Sequence, residues 1–252
     1  EPSSDFSFSM RKLASIEEGG FENLEIEKMA KDYVSWIQSQ KNLSKRLDDQ
    51  HTETSNDHIN SAEQWSARMQ AGIKILKNDE NALLAFRLTN LAMLIQANRL
   101  SALKTKKFDE SLLFDASVQE SAQHDLSQNK FDNLEYKWRP FQLAFLLGII
   151  PDIADPDNEE SYRETVDLIW FPTGGGKTEA YLGVLAFSIL LRRIEDPEND
   201  GVTAIMRYTL RLLTSDQFRR ASSLICSLEW IRSNQIFAAN LGDIPISIGL
   251  WI

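Results

Sequence analysis

Hydrophobic and polar positions divide the chain into a helical first half and a mixed second half. In Ile26, Met29, Tyr33 and Ile37 the spacing of 3, 4 and 4 puts one apolar stripe on one helix face. Leu43 to His58 is polar and reads as a loop. A second helix is predicted from about Ser61 to Leu76, with Ser61 and Gln64 at the capping-box spacing. Asn81 then caps a third helix, in which Leu83, Leu84, Phe86, Leu88, Leu91, Met93, Leu94 and Ile95 lie nearly all round. Such a helix belongs at the centre of a helical domain. Asp115 to Asn133 is polar again and marks a domain boundary. Residues 1–20 read as a tail, 21–133 as a helical domain and 134–252 as a second unit.

After Leu134 the pattern changes. Pro140 suits the first turn of an apolar helix running from Phe141 to Ile149. An acidic, proline-broken loop, Pro151 to Glu160, follows. Val166–Phe171 is predicted as a strand, Lys177 to Ile194 as a helix, Val202–Tyr208 as a strand and Thr214 to Ser233 as a helix. The apolar run Ile246–Ile252 completes the series as a third strand. Alternating strands and helices predict an α/β fold with a parallel sheet wrapped by helices. A chain that stops on an apolar, β-branched run reads as a piece of a longer protein.

Composition adds bounds. The chain is 42% hydrophobic and 25% charged, which is ordinary for a folded domain. No apolar run reaches membrane-spanning length and no signal peptide opens the chain, so a cytoplasmic protein with no membrane contact is expected. The single cysteine, Cys226, excludes an internal disulfide framework and reads as a buried structural thiol. Net charge is −10 and both halves are acidic, which rules out bulk electrostatic attraction to nucleic acid and leaves only local contacts. His51, His58 and His124 sit in polar sequence without metal-ligand spacing, and read as surface residues.

The strongest chemical signal is Phe171-Pro172-Thr173-Gly174-Gly175-Gly176-Lys177-Thr178, placed between a predicted strand and a predicted helix. Gly174, Gly175 and Gly176 have no Cβ to block a close approach and can take positive φ. Their backbone N–H groups can turn around phosphate oxygens, and the following helix adds its orphan N–H groups. Lys177 supplies positive charge for the β- and γ-phosphates, and Thr178 a hydroxyl for Mg²⁺. ATP with Mg²⁺ is the expected ligand. Phe171 departs from the full pattern, which has glycine there. The simpler alternative is a glycine-rich turn followed by a chance Lys-Thr.

Two flanking segments extend this reading. In Trp138-Arg139-Pro140-Phe141-Gln142, the Gln142 amide offers a donor and an acceptor that could read the edge of adenine, with Arg139 beside it. Downstream, Arg207, Arg211, Arg219 and Arg220 cluster in an otherwise acidic half, with Thr209, Thr214 and Gln217 as neutral hydrogen-bonding neighbours. These could contact a nucleic-acid backbone, or simply be solvated or paired with Asp216.

The glycine-rich loop, with Glu179-Ala180 after it, resembles motif I of superfamily 2 helicases. Arg139-Pro140-Phe141-Gln142 resembles their adenine-recognising glutamine motif, and Thr209 to Gln217 their motif Ia. More narrowly, Leu168 to Gly183 and Ala85 to Met93 resemble the helicase subunit of DISARM-type bacterial anti-phage systems. The resemblance implies a partial RecA-like P-loop domain preceded by an all-helical domain. It also implies ATP and Mg²⁺ held by Thr173 to Thr178, with Lys177 and Thr178 as the catalytic pair. Arg139 and Gln142 would select adenine, Thr209, Arg211 and Gln217 would lie along DNA, and other defence-system subunits would be partners. The family's Asp-Glu motif, second RecA-like domain and arginine finger have no counterpart in this sequence, so turnover is expected only of an intact protein. The alternatives are a P-loop switch or signalling ATPase without a nucleic-acid track, and a helical partner-docking module.

Overall fold

The computed structural model describes residues 6, 8–16, 25–105, 136–157, 162–170, 174–207 and 211–250. A two-residue strand β1 (Phe8–Ser9) leads into a short helix α1 (Met10–Ala14). Three long helices follow: α2 (Glu25–Ser44), α3 (Asp49–Asn78) and α4 (Glu80–Thr105). Strand β2 (Lys137–Trp138) precedes α5 (Pro140–Ala154), α6 (Lys177–Glu195) and α7 (Arg211–Ser233), and a 3-10 turn covers Ile236–Ala238. β1 and β2 pair antiparallel, Phe8 opposite Trp138.

Helix α4 is the hub. It packs against α1, α3, α6 and α7, while α2 lies on α3, and α3 and α6 both lie on α5. Ala82, Ala85, Phe86, Leu88, Ala92, Met93 and Leu94 of α4 are almost fully buried, in keeping with apolar residues nearly all round it. Two of its buried polar groups bond back within the helix, Thr89 Oγ1 donating to the Ala85 carbonyl and Asn90 Nδ2 to that of Phe86, while Asn90 Oδ1 and Gln96 find partners on other elements. The α2 stripe buries Ile26, Met29 and Ile37 as its spacing predicts. One apolar core runs through residues on both sides of the polar stretch at 115–133, a stretch that lies outside the described residues together with His124. Phe8, Met10, Leu13 and Ile16 are buried in that same core, so this part of the expected tail is packed.

The expected α/β P-loop (RecA-like) parallel sheet, preceded by an all-helical domain, is overturned: the architecture on both sides of the boundary is helical. Among the described residues the only sheet is the β1–β2 pair. Residues 166–170, 202–207 and 245–250 carry no strand ladder. Val166, Leu168 and Trp170 are 92%, 80% and 89% exposed, so this apolar run lacks the neighbours that make a strand. Helix α6 packs directly on α4, α5 and α7, and α4 on α7. A short apolar run fixes hydrophobicity without fixing a pairing partner, and an isolated strand is not stable alone.

Smaller expectations also shift. The loop predicted over 43–58 shrinks to the turn at 45–48, because α3 begins at Asp49. Ser61 lies inside that helix, its hydroxyl donating to the Asp57 carbonyl. At the start of α4 the capping oxygen comes from Asp79, which accepts from the Ala82 N–H at 2.9 Å, and not from Asn81. Helix α5 continues through Pro151 to Ala154, into the expected acidic loop. Cys226 is exposed, where its apolar neighbours predict burial. No helix among the described residues is long and apolar enough to cross a membrane.

Candidate nucleotide site

The start of α5 and the start of α6 meet at the glycine loop. Arg139 is the N-cap of α5 and Pro140 opens its first turn. Gln142, three residues on, folds back so that its Oε1 accepts from the Arg139 N–H at 2.8 Å. That geometry buries Gln142, 4% exposed, and aims its Nε2 at the Gly176 carbonyl, 2.7 Å away. The Arg139 guanidinium donates to the neighbouring Gly175 carbonyl, also at 2.7 Å.

These two bonds set the direction of the loop's N–H groups. A trans peptide is planar, with its C=O and the next N–H on opposite sides. Holding the Gly175 and Gly176 carbonyls toward α5 therefore turns the Gly176 and Lys177 N–H groups away from it. Gly174 and Gly176 take φ of 79° and 87°, the left-handed region that glycine enters without strain. At Gly176 a Cβ would stand 2.5 Å from Gln142 Nε2. In general, N–H groups turned to one side ahead of a helix N-terminus can receive an anion.

Lys177 and Thr178 are half-buried in the first turn of α6. The acidic residue of that turn, Glu179, is ion-paired with Arg220 of α7. Thr173 lies outside the described residues, as do Phe171 and Pro172. No group of three or more His, Cys, Asp or Glu that could hold a metal ion occurs among the described residues.

The predicted arginine cluster is divided. Thr209 lies outside the described residues, and Arg211 opens α7 with its side chain likewise outside them. Gln217 is half-buried on α7. Arg207 is exposed, Arg219 pairs with Asp216 at 2.8 Å, and Arg220 is taken by Glu179. The Arg220 carbonyl accepts from Gln96 of α4, tying α7 to the hub. His51 and His58 are exposed, as expected, on helix α3.

Sequence reasoning missed Arg68. This α3 residue is 7% exposed and donates to both oxygens of Asp167 at 2.6 and 2.9 Å, to Asp152 at 2.7 Å and to the Gly148 carbonyl at 3.1 Å. The Trp65 and Tyr162 rings lie 4.7 and 4.8 Å from its guanidinium. Burial works against its charge, but the hydrogen bonds and field of Asp167 and Asp152 outweigh it and hold its pKa above the usual arginine value. A sign of it was present: Asp167 is a lone carboxylate within the apolar run 166–171, and a carboxylate there needs a cation.

No protein-family model matches the chain. Over 97% of its length the chain is similar, at 33% identity, to the DISARM protein DrmA of Bacillus paralicheniformis, and it spans 20% of that protein's length.

Proposed function

We propose that this chain is the nucleotide-binding part of an ATP-dependent DNA helicase or translocase acting in bacterial anti-phage defence. Similarity to the DISARM protein DrmA supports the defence role. The observation that carries the nucleotide reading is the fixing of the Gly175 and Gly176 carbonyls by Arg139 and Gln142, which leaves the loop N–H groups turned to the other side. Gly174, Gly175 and Gly176, with Thr173 before them, take the triphosphate. Lys177 neutralises its outer phosphates. Glu179 is committed to Arg220, so Mg²⁺ arrives with the nucleotide and is held by phosphate oxygens and the Thr178 hydroxyl. That division suits an ion that keeps much of its own shell.

Arg139 and Gln142 shape the loop first. Adenine selection, which the upstream motif suggests for them, falls to hydrogen-bonding capacity that these backbone contacts leave over. Thr209, Arg211 and Gln217 are the proposed DNA contacts, at and beside the start of α7. Other defence-system subunits are the proposed partners.

The test is ATP hydrolysis by the full-length protein that contains this chain, with and without single-stranded DNA. The reading expects hydrolysis stimulated by DNA and abolished by Lys177→Ala. Hydrolysis indifferent to DNA and RNA would leave a switch ATPase and sink the motor. Arg211→Ala should weaken DNA binding and flatten its salt dependence.

A second reading, a partner-docking role for the helical half, draws on the groove between α2 and α3. It has a volume of about 510 Å³ and is lined in part by Trp36, Leu43 and Leu47, all three exposed. Loss of co-purifying defence subunits on Leu47→Lys would support it, and unchanged co-purification would refute it.

A further inference from the structure

The chain enters the glycine loop through residues 166–170, which carry no strand ladder and expose Val166, Leu168 and Trp170 almost completely. Of the apolar side chains there only Ile169 is half-buried, so packing alone grips the segment weakly. Asp167 adds a directional hold, through its two-pronged bond to Arg68. A guanidinium fork gripping both oxygens of a carboxylate fixes orientation as well as distance, which a lysine cannot do. Arg68 is itself immobilised on every side: by the Gly148 carbonyl, by Asp152, and by the rings of Trp65 and Tyr162. The other oxygen of Asp152 accepts from the Tyr162 N–H at 2.8 Å, an acceptor role that an asparagine oxygen at this position can keep. Two points on the described chain are therefore anchored, Asp167 from α3 and the Gly175 and Gly176 carbonyls from the start of α5.

We propose that Arg68 is a positioning residue of the nucleotide site, fixing through Asp167 the point where the chain enters the phosphate loop. Nucleotide affinity then depends on helix α3, in the helical half of the chain. This rests on the nucleotide reading given above.

The two carboxylates allow a clean test. Asp167→Asn and Asp152→Asn each remove one negative charge from Arg68 and leave the other in place, but only the first releases the lead-in. The full-length protein and its Asp167→Asn, Asp167→Glu, Asp152→Asn and Lys177→Ala variants would be titrated with a fluorescent ATP analogue. Hydrogen exchange would be followed at residues 168–176, and melting temperature recorded for each variant. The expected result is an affinity at least fivefold weaker and faster exchange at 168–176 in Asp167→Asn. Asp167→Glu should recover part of both, and Asp152→Asn should lose comparable melting temperature with less than a twofold change in affinity. Equal affinity losses in the two Asn variants would reduce Arg68 to a structural role and overturn the proposal. So would unchanged affinity in Asp167→Asn while Lys177→Ala abolishes binding. If the parent protein binds no nucleotide, or Lys177→Ala binds as well as it does, the nucleotide reading fails and this proposal falls with it.

Discussion

Gln142 Nε2 lies 2.7 Å from the Gly176 carbonyl and would lie 2.5 Å from a Cβ on that same residue. One side chain therefore both shapes the loop and demands glycine there. Gly176→Ala should cost about 1–2 kcal/mol from the left-handed backbone alone, and it must also push Gln142 off its acceptor. Gln142→Ala loses two hydrogen bonds at roughly 0.5–1.5 kcal/mol each, a comparable cost of about 1–3 kcal/mol. Combining the two substitutions removes the clash, so in urea unfolding the double variant should cost less than the sum of the singles; additive costs would show that Gln142 does not demand glycine there.

The Trp138 indole donates to Asn90 Oδ1 at 2.7 Å, with Trp138 2% exposed and Asn90 fully buried. Trp138→Phe leaves that oxygen unpaired inside the core, at a cost of about 1–3 kcal/mol. For a chain of this size each kcal/mol lowers Tm by roughly 2–4 °C. Adding Asn90→Leu removes the stranded oxygen, so the double variant should melt above Trp138→Phe alone. A double variant that melts lower would show that the hydrogen bond is not what holds the ring.

Helices were legible in the sequence wherever an apolar stripe faced a partner. The α2 spacing, the all-round apolar α4 and the proline start of α5 all correspond to helices in the structure. The helical start of α3 was not legible: its polar residues from Gln50 to His58 are mostly exposed, so no stripe announces them. The strand pattern failed for a different reason. A run such as Val166-Asp167-Leu168-Ile169-Trp170 fixes side-chain alternation but says nothing about what it pairs with. At the site, the glycines, Lys177, Arg139 and Gln142 were visible because their chemistry is local in sequence. Arg68 was not, because its partner Asp167 is separated from it by most of a hundred residues, and one arginine on a helix has no motif.

Helices α3 and α5 cross so closely that a Cβ on Gly72 would stand 2.0 Å from the Leu147 carbonyl oxygen. Gly72→Ala must separate them, and overpacking of this kind costs about 1–3 kcal/mol. Arg68, one turn earlier on α3, bonds the Gly148 carbonyl and Asp152 on the facing α5. The separation should therefore strain the arginine clamp as well. Gly72→Ala is expected to lower Tm and to speed hydrogen exchange at residues 162–170. Unchanged exchange there would mean that α5 moves without disturbing Arg68.

The segment after α7 is held by a charge that acid can remove. Glu229 accepts from Arg232 at 2.6 and 2.8 Å and from the Ile246 N–H at 2.9 Å, while Arg232 donates to the Gly242 carbonyl at 2.8 Å. The Arg232 hydrogen bonds lead in lowering the Glu229 pKa below its ordinary 4.5; partial burial opposes them and the Ile246 N–H adds to them. Because the folded value is the lower one, the unfolded chain takes up this proton first. The stabilisation is complete above about 4.5 and fades as pH falls from there through the depressed folded value. With partial exposure allowing for solvent screening, its size at neutral pH is about 1 kcal/mol. Glu229→Gln should therefore melt below the parent at pH 7, and the gap should narrow as pH falls below about 4.5. Hydrogen exchange at the Ile246 amide should quicken over the same acid range in the parent and be fast throughout in the variant. A gap that stays constant with pH would mean that Glu229 supports this segment by its shape and not by its charge.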